Sequence, residues 1–318
     1  MSIRIAIRER AKKSDYILQC FNLYATFRFR FNPRSLAESD YLRLMGKKLD
    51  WHSPKNLIEK IYWMIFNTDT TLWSLCADKY HVRRFVEERG CGDMLNELYG
   101  CWDRVEDIDY NARPDTFVLK TSNASGQVIL VDDKRQLNVR KVNRKLNRWL
   151  RFVFGVTSSQ LHYMRIKPCL IAEKMLTNAT GGSLIDYKIW CFNGIPESVL
   201  VVYGRDMEHY KLSVFDLEWR NISSETLKHT SSHYGGEDVP CPASFQQMLD
   251  AAKRLSEGFP EVRVDFYDID GAPIFGELTF STGYGYFSDE YYDYLGGKID
   301  LSHMETIPLS RILSQLRF

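Results

Sequence analysis

In residues 260–285, PEVRVDFYDIDGAPIFGELTFSTGYG, two alternating runs flank an Asp-Gly turn. Val262, Val264 and Phe266 fall on one side of a strand, and Arg263, Asp265 and Tyr267 on the other. The return run, 274–280, alternates too. Whether the two polar sets share a face depends on the turn, because a slip of one residue moves every side chain across the sheet. A two-residue Asp270-Gly271 turn pairs odd positions with even ones and separates Asp265 from Glu277. A three-residue loop, Ile269-Asp270-Gly271 with Gly271 left-handed, pairs odd with odd, and that is the register expected here. Arg263, Asp265, Glu277 and Thr279 then point the same way. Two carboxylates side by side on a rigid sheet repel unless a cation lies between them. Hard oxygen donors of this kind suit magnesium, which takes one or two protein carboxylates together with substrate phosphates. Arg263 beside them completes a phosphate site.

A surface hairpin with a solvated polar face is the plain alternative, and the ordered set R-x-D followed by E-x-T weighs against it. R-x-D, a hairpin, then E-x-N and a glycine-bearing tail resembles the metal-binding end of ATP-grasp ligases such as D-alanine:D-alanine ligase, with Thr279 here in place of the usual Asn. The longer string VRVDFY…GELTF resembles the TupA-like ATP-grasp branch, which is associated with teichuronopeptide and other bacterial surface-polysaccharide biosynthesis. The resemblance implies an α+β ATP-grasp fold with an N-terminal helical extension. Residues 1–115 are then a mainly helical region and 116–318 the grasp domain. Within the latter, 116–175 form a small lid, 176–292 the metal- and phosphate-binding part and 293–318 a tail.

With 318 residues, 44% hydrophobic and 26% charged, the chain is long enough for a substantial core and ordinary in composition for a globular protein. A formal net charge of +1 argues against a dedicated nucleic-acid binder. Seven scattered cysteines without a CxxC pair read as thiols of a cytoplasmic protein. His229 and His233 lie in a loop-like Thr-Ser-Ser context that does not suit zinc. No apolar run approaches bilayer-spanning length. Bases cluster early, at Arg4, Arg8, Arg10, Lys12, Lys13, Arg28, Arg30 and Arg34, and Ile17, Phe21, Tyr24 and Phe27 recur at helical spacing. Such a face is usually solvated on a helix packed against the protein, with weak attraction to an anionic membrane surface or an acidic glycan as the alternative.

Further motifs support the same resemblance. Ser53-Pro54 is expected to start a helix as N-cap and first turn. SPKNLIEK and DKYHVRRFV resemble segments of the TupA-like branch, and Asp78 is expected to cap a helix that puts Lys79 and Arg83 on one face, as weak candidates for acceptor binding. Residues 72–102 read as helix, glycine break, helix, and 134–151 as a basic helix. Residues 116–120 read as a strand ending in Lys120, followed by the small-residue turn with Ser125 and Gly126 and a second strand at 127–131. A lysine before a turn of exposed backbone N–H groups suits a phosphate cover. Strand 169–172 runs into Glu173, Lys174 and Leu176, which resemble the hinge that meets adenosine. Gly181-Gly182 opens a long hairpin turned by Asn193-Gly194, on which Lys188 and Arg205 are phosphate candidates and Asp186 a ribose candidate. Residues 206–243 carry no readable pattern.

The chain lacks GxxxxGK, GxSxG and complete GxGxxG motifs, and Asp268-Ile269-Asp270, a glycosyltransferase-like D-x-D, falls in the expected turn. The resemblance implies ATP-dependent ligation of a carboxylate to an amine through an acylphosphate. Arg263 and Lys188 would assist catalysis, Asp265, Glu277 and Thr279 would hold magnesium, and the partners would be ATP, a uronic acid or glycan and an amine. A glycosyltransferase and a non-catalytic nucleotide- or glycan-binding module are the alternatives.

Overall fold

The computed structural model describes residues 15–178, 183–205, 209–281 and 285–317, and among these, five helices lead into the first sheet. Arg4, Arg8, Arg10, Lys12 and Lys13, the Gly181-Gly182 pair and tail residues 282–284 lie outside the described residues. The helices are α1 (Asp15–Phe31), α2 (Arg34–Met45), α3 (Leu57–Asn67), α4 (Thr71–Ala77) and α5 (Val82–Glu88). In α1 the expected helix forms, but its stripe of Phe21, Tyr24 and Phe27 is exposed, and Asn22, Ala25 and Phe29 face the protein instead. The cap of α3 is Asn56 rather than Ser53. Asn56 Oδ1 accepts from the Glu59 N–H at 3.0 Å and Glu59 Oε2 from the Asn56 N–H at 3.3 Å, a reciprocal capping box that Ser53 is too far upstream to form. The Ser53 N–H turns to Asp50.

The first sheet holds β1 (Leu98–Trp102), β2 (Phe117–Thr121), β3 (Val128–Val131) and β4 (Leu170–Glu173), antiparallel in the order β1-β4-β2-β3. β1 corrects the helical reading of residues up to 102 and brings into this sheet a segment expected to precede the small subdomain. β1 covers the edge of β4 that would otherwise leave its N–H and C=O groups unpaired. Helix α6 (Val139–Leu150) lies against β2 with Leu146 buried among Phe117, Leu119 and Leu170. It starts later than Lys134 because Asp133 caps a short 3-10 turn at 134–136, and Asn138 then accepts from the Lys141 N–H to begin the α-helix. The short α7 (Leu161–Met164) follows.

The second sheet is β7-β6-β5-β8-β9, all antiparallel, from β5 (Asp186–Phe192), β6 (Ile195–Tyr203), β7 (Lys211–Phe215), β8 (Val262–Ile269) and β9 (Ala272–Thr279). Positive φ at Asn193 and Gly194 makes the expected tight turn between β5 and β6. Residues 206–243, unread in the sequence, contribute β7 and α8 (Ser223–Thr226); α9 (Phe245–Ser256), α10 (Asp289–Gly297) and α11 (Leu309–Leu313) complete the described elements. Tyr187, Ile189, Val262, Val264 and Phe266 are buried on one face of the sheet, over Met248, Ala252 and Leu255 of α9. Full burial of one such aliphatic or aromatic side chain is worth about 1.5–3 kcal/mol, so the apolar set dictates which face is inward and leaves the charged set on the other.

Candidate active site

Lys188, Asp265 and Glu277 stand in one row across three strands, as Cα partners of β5 with β8 and β8 with β9. The next row is Trp190, Arg263 and Thr279, and Asp186 is opposite Tyr267. The facing of Asp265 and Glu277 is as expected, but its cause is different. Asp270 and Gly271 both have positive φ and form a two-residue turn with Ile269 opposite Ala272, the register that pairs odd with even. Between Phe266/Phe275 and Asp265/Glu277 the ladder takes in one extra residue, Gly276, and this bulge restores the odd-odd pairing. A Cβ at Gly276 would lie 3.0 Å from the Asp265 carbonyl oxygen and 3.4 Å from the Tyr267 ring, so a side chain there would have to push the neighbouring strand aside by a few tenths of an ångström. A glycine inside an alternating strand was the available signal.

The row is filled by ion pairs. Arg263 grips Asp265 with two bonds, Nε to Oδ1 at 2.6 Å and Nη2 to Oδ2 at 2.7 Å, and lies over the Trp190 ring. Lys188 also donates to Asp265 Oδ2. Arg263 Nη2 reaches Thr279 Oγ1 at 3.3 Å, and that hydroxyl is 3.4 Å from Glu277 Oε1. Lys79 Nζ stands 3.3 Å from Glu277 Oε2 and donates to the Ala124 carbonyl at 3.0 Å, while its backbone N–H donates to Ser122. Lys79 precedes α5 rather than riding on it beside Arg83, because Asp78 Oδ1 accepts from the Tyr80 and His81 N–H groups and holds 78–81 in a turn. Burial pushes the Glu277 carboxyl up, but the fields of Lys79, Lys188 and Arg263 outweigh it and hold the pKa at about 2. Burial pushes the Tyr267 phenol well up, and the Asp186 carboxylate that it hydrogen-bonds adds to this.

Facing this row across a cleft of about 860 Å³ is the first sheet, and that volume falls within the roughly 300–1,000 Å³ of ordinary small-molecule sites. Lys120, Ser125, Gly126, Glu173, Lys174, Leu176, Asp186, Lys188, Arg205, Arg263, Asp265 and Glu277 all line it. Thr279, behind them, touches it only through Arg263 and Glu277. Lys120 Nζ pairs with Glu173 Oε2 at 2.6 Å, and Arg205 Nη2 with Asp186 Oδ2 at 2.5 Å. The space where a Gly126 side chain would stand is open, so its backbone can approach a ligand. At the hinge the Lys174 N–H donates to Glu97 O and its carbonyl accepts from Asn96 Nδ2, each at 2.9 Å. Lys174 is thus already committed to the segment before β1.

Residues 59–300 match the family model described as TupA-like ATPgrasp, well over half of the chain. The chain belongs to the TupA-like ATP-grasp family. No curated protein matches it. Among solved structures, D-alanine–D-alanine ligase from Bacillus anthracis complexed with ATP is 12% identical with a TM-score of 0.44, over 88% of this chain and 81% of that one. The ATP-grasp ligase PsnB complexed with minimal precursor is 12% identical with a TM-score of 0.39, over 79% of this chain and 64% of that one. D-alanine–D-alanine ligase from Helicobacter pylori is 13% identical with a TM-score of 0.41, over 76% and 69%. The chain therefore spans less than two thirds of PsnB. By family, and with its two antiparallel sheets and flanking helices, it has an α+β ATP-grasp fold.

For a TupA-like ATP-grasp site the donor set fits magnesium. Asp265 and Glu277 supply hard carboxylate oxygens side by side, with the Thr279 hydroxyl next to them. Among the described residues no group of three or more His, Cys, Asp or Glu could hold a metal ion, so an ion here would draw its remaining ligands from phosphate and water. Tyr267, Asn96, Lys79 and Arg83 also line the cleft. The alternation that marks Arg263 and Asp265 already put Tyr267 on their face. No pattern linked Lys79 to Glu277.

Proposed function

We propose that this chain uses ATP to join a carboxylate to an amine, the carboxylate belonging to a uronic acid of a capsule or O-antigen precursor and the amine to an amino acid or similar donor. The observation that carries the ligase reading is the row of Lys188, Asp265 and Glu277 facing Lys120 and the loop after it across one cleft. A triphosphate between those walls meets ammonium groups from both sides and, at Gly126, open backbone. Glu173, Lys174 and Leu176 receive the adenosine, and Asp186 and Arg205 the ribose and phosphates. Asp265 and Glu277 are the residues that would hold magnesium, with the Thr279 hydroxyl behind them bonded to Arg263 and Glu277 rather than facing the ion as the sequence suggested, and the ion when bound would neutralise charge on the phosphoryl oxygens. Lys188 and Arg263 present N–H donors to the phosphoryl group as it passes to the acceptor carboxylate, and the amine then expels phosphate from the acylphosphate. The first sheet acts as a lid that excludes water from that intermediate.

Two observations favour this over the alternatives. Asp268 of the D-x-D is spent on structure, its Oδ2 accepting from Ser244 Oγ at 2.6 Å and its Oδ1 from the Gly271 N–H at 2.8 Å, which weighs against a nucleotide-sugar site. Thr279 keeps an oxygen beside Glu277 where an Asn would have one, so its presence does not argue for a module without catalysis. The sugar class rests on the family branch. A cytoplasmic setting belongs to this reading, with the cysteines as thiols. The test is a panel of uronic acids and amines incubated with ATP, magnesium and the protein. ADP should appear with an amide in equal amount only when both co-substrates are present. Turnover of a nucleotide sugar without ADP would reject the ligase.

A further inference from the structure

Among the described residues, helix α1 meets the protein along one face, beside which Arg28 donates to Ser35 and Ser39. Asn22, Ala25 and Phe29 are buried, and the Asn22 carboxamide pairs with the Val153 backbone in both directions, Nδ2 to O at 2.9 Å and N–H to Oδ1 at 3.3 Å. The other face is apolar and open: Phe21 is 42% exposed, Leu23 70%, Tyr24 58%, Phe27 62% and Phe31 76%. The rings of Phe27 and Phe31 are 4.7 Å apart, so they form one continuous surface. A contiguous exposed apolar patch of this kind marks a contact surface.

Charge selects the contact. Residues 1–34 carry Arg4, Arg8, Arg10, Lys12, Lys13, Arg28, Arg30 and Arg34 against only Glu9 and Asp15. A second copy docked through this face would bring two such segments together, at a cost in repulsion. An acidic surface would instead neutralise them. Phenylalanine, leucine and tyrosine beside arginine and lysine are the residues that settle into the boundary between headgroups and acyl chains of an anionic bilayer. We propose that α1 docks this chain on an anionic lipid surface, with Leu23, Tyr24, Phe27 and Phe31 entering the headgroup boundary and the net positive charge of residues 1–34 drawn to the lipid phosphates. This is peripheral attachment: among the described residues no helix is long and apolar enough to cross a membrane. It is independent of the ligase reading.

The test is flotation of the full chain with vesicles of phosphatidylglycerol and phosphatidylcholine in equal parts, and with vesicles of phosphatidylcholine alone. The chain should float with the mixed vesicles, less so at high salt, and not with the neutral ones. Phe27→Ser with Phe31→Ser, at exposed positions, should keep the melting temperature and nucleotide affinity while lowering vesicle affinity roughly tenfold or more. The proposal is overturned by wild-type protein that stays unbound to the mixed vesicles, by equal flotation with neutral vesicles, or by a double variant that floats as well as wild type. A lipid-free dimer that the double variant converts to monomer would assign the face to a second copy instead.

Discussion

Asp265 and Glu277 are Cα partners across β8 and β9 only because Gly276 is absorbed as a bulge between them and a two-residue turn. Gly276→Val should therefore strike both stability and chemistry. Its side chain would meet the Asp265 carbonyl and the Tyr267 ring, forcing the ladder to shift or strain. The expected cost is about 1–3 kcal/mol, read as a lower urea midpoint, with ATP-dependent turnover lost at temperatures where the variant is still folded. An unchanged midpoint with full activity would mean that the bulge tolerates a side chain.

Removing one carboxylate from the row keeps the backbone fold at some cost in stability, since Arg263 or Lys79 loses its partner, and leaves the phosphates short of compensating charge. Asp265→Asn and Glu277→Gln should each lower magnesium-dependent ADP formation by roughly 10²-fold or more, the scale for loss of one preorganised charge-stabilising group. Circular dichroism should show the native fold. Wild-type turnover in either variant would remove the hairpin from the mechanism.

Lys120 and Lys188 approach the cleft from different sheets. Lys120→Ala and Lys188→Ala should each weaken ATP binding by about 10–100-fold, the worth of a hydrogen bond to a charged group, as measured by calorimetry. Unchanged affinity in both variants would put the nucleotide elsewhere.

Glu277, held at a pKa of about 2 against the 4.5 of an ordinary glutamate, makes stability depend on acid. The unfolded chain binds a proton at this carboxyl before the folded one does, so the contribution is present above about pH 4.5 and is lost as pH falls towards 2. Lys79→Ala removes the strongest of the fields that lower this pKa, and the folded value should climb towards 4.5. Wild type should exceed the variant in urea midpoint at neutral pH, and the gap should close on acidification through that window. A gap that stays constant with pH would show that Lys79 acts through packing, with no effect on the carboxylate.

An acylphosphate leaves its mark in the phosphate. With a carboxylate-¹⁸O-labelled uronic acid and a productive amine, the amine expels the phosphoryl group with a substrate oxygen attached, and the released phosphate should carry the label. Unlabelled phosphate would mean that water takes the phosphoryl group and no acylphosphate forms, and a phosphorylated sugar as the stable product would point to a kinase on the same fold.

Much of the site was legible because strands expose it to simple rules. Alternation placed Arg263, Asp265 and Tyr267 together, Asn193-Gly194 marked its turn, and Lys188 fell on the polar side of its strand. Local capping was harder: Ser53 and Asn56 are both good caps, and the reciprocal bond with Glu59 decides between them.

Residue order and type by themselves determined the polar and apolar faces of the hairpins, the charged groups available to a phosphate and the family, since each depends on neighbours within a few positions. Only the tertiary structure decided that Lys79 meets Glu277, that Lys120 meets Glu173 and that β1 closes the first sheet. It also decided that α1 turns Phe21, Tyr24 and Phe27 away from the protein. Periodicity reports that a side chain shares a face with others, but what covers that face depends on strand order and on segments distant in the chain.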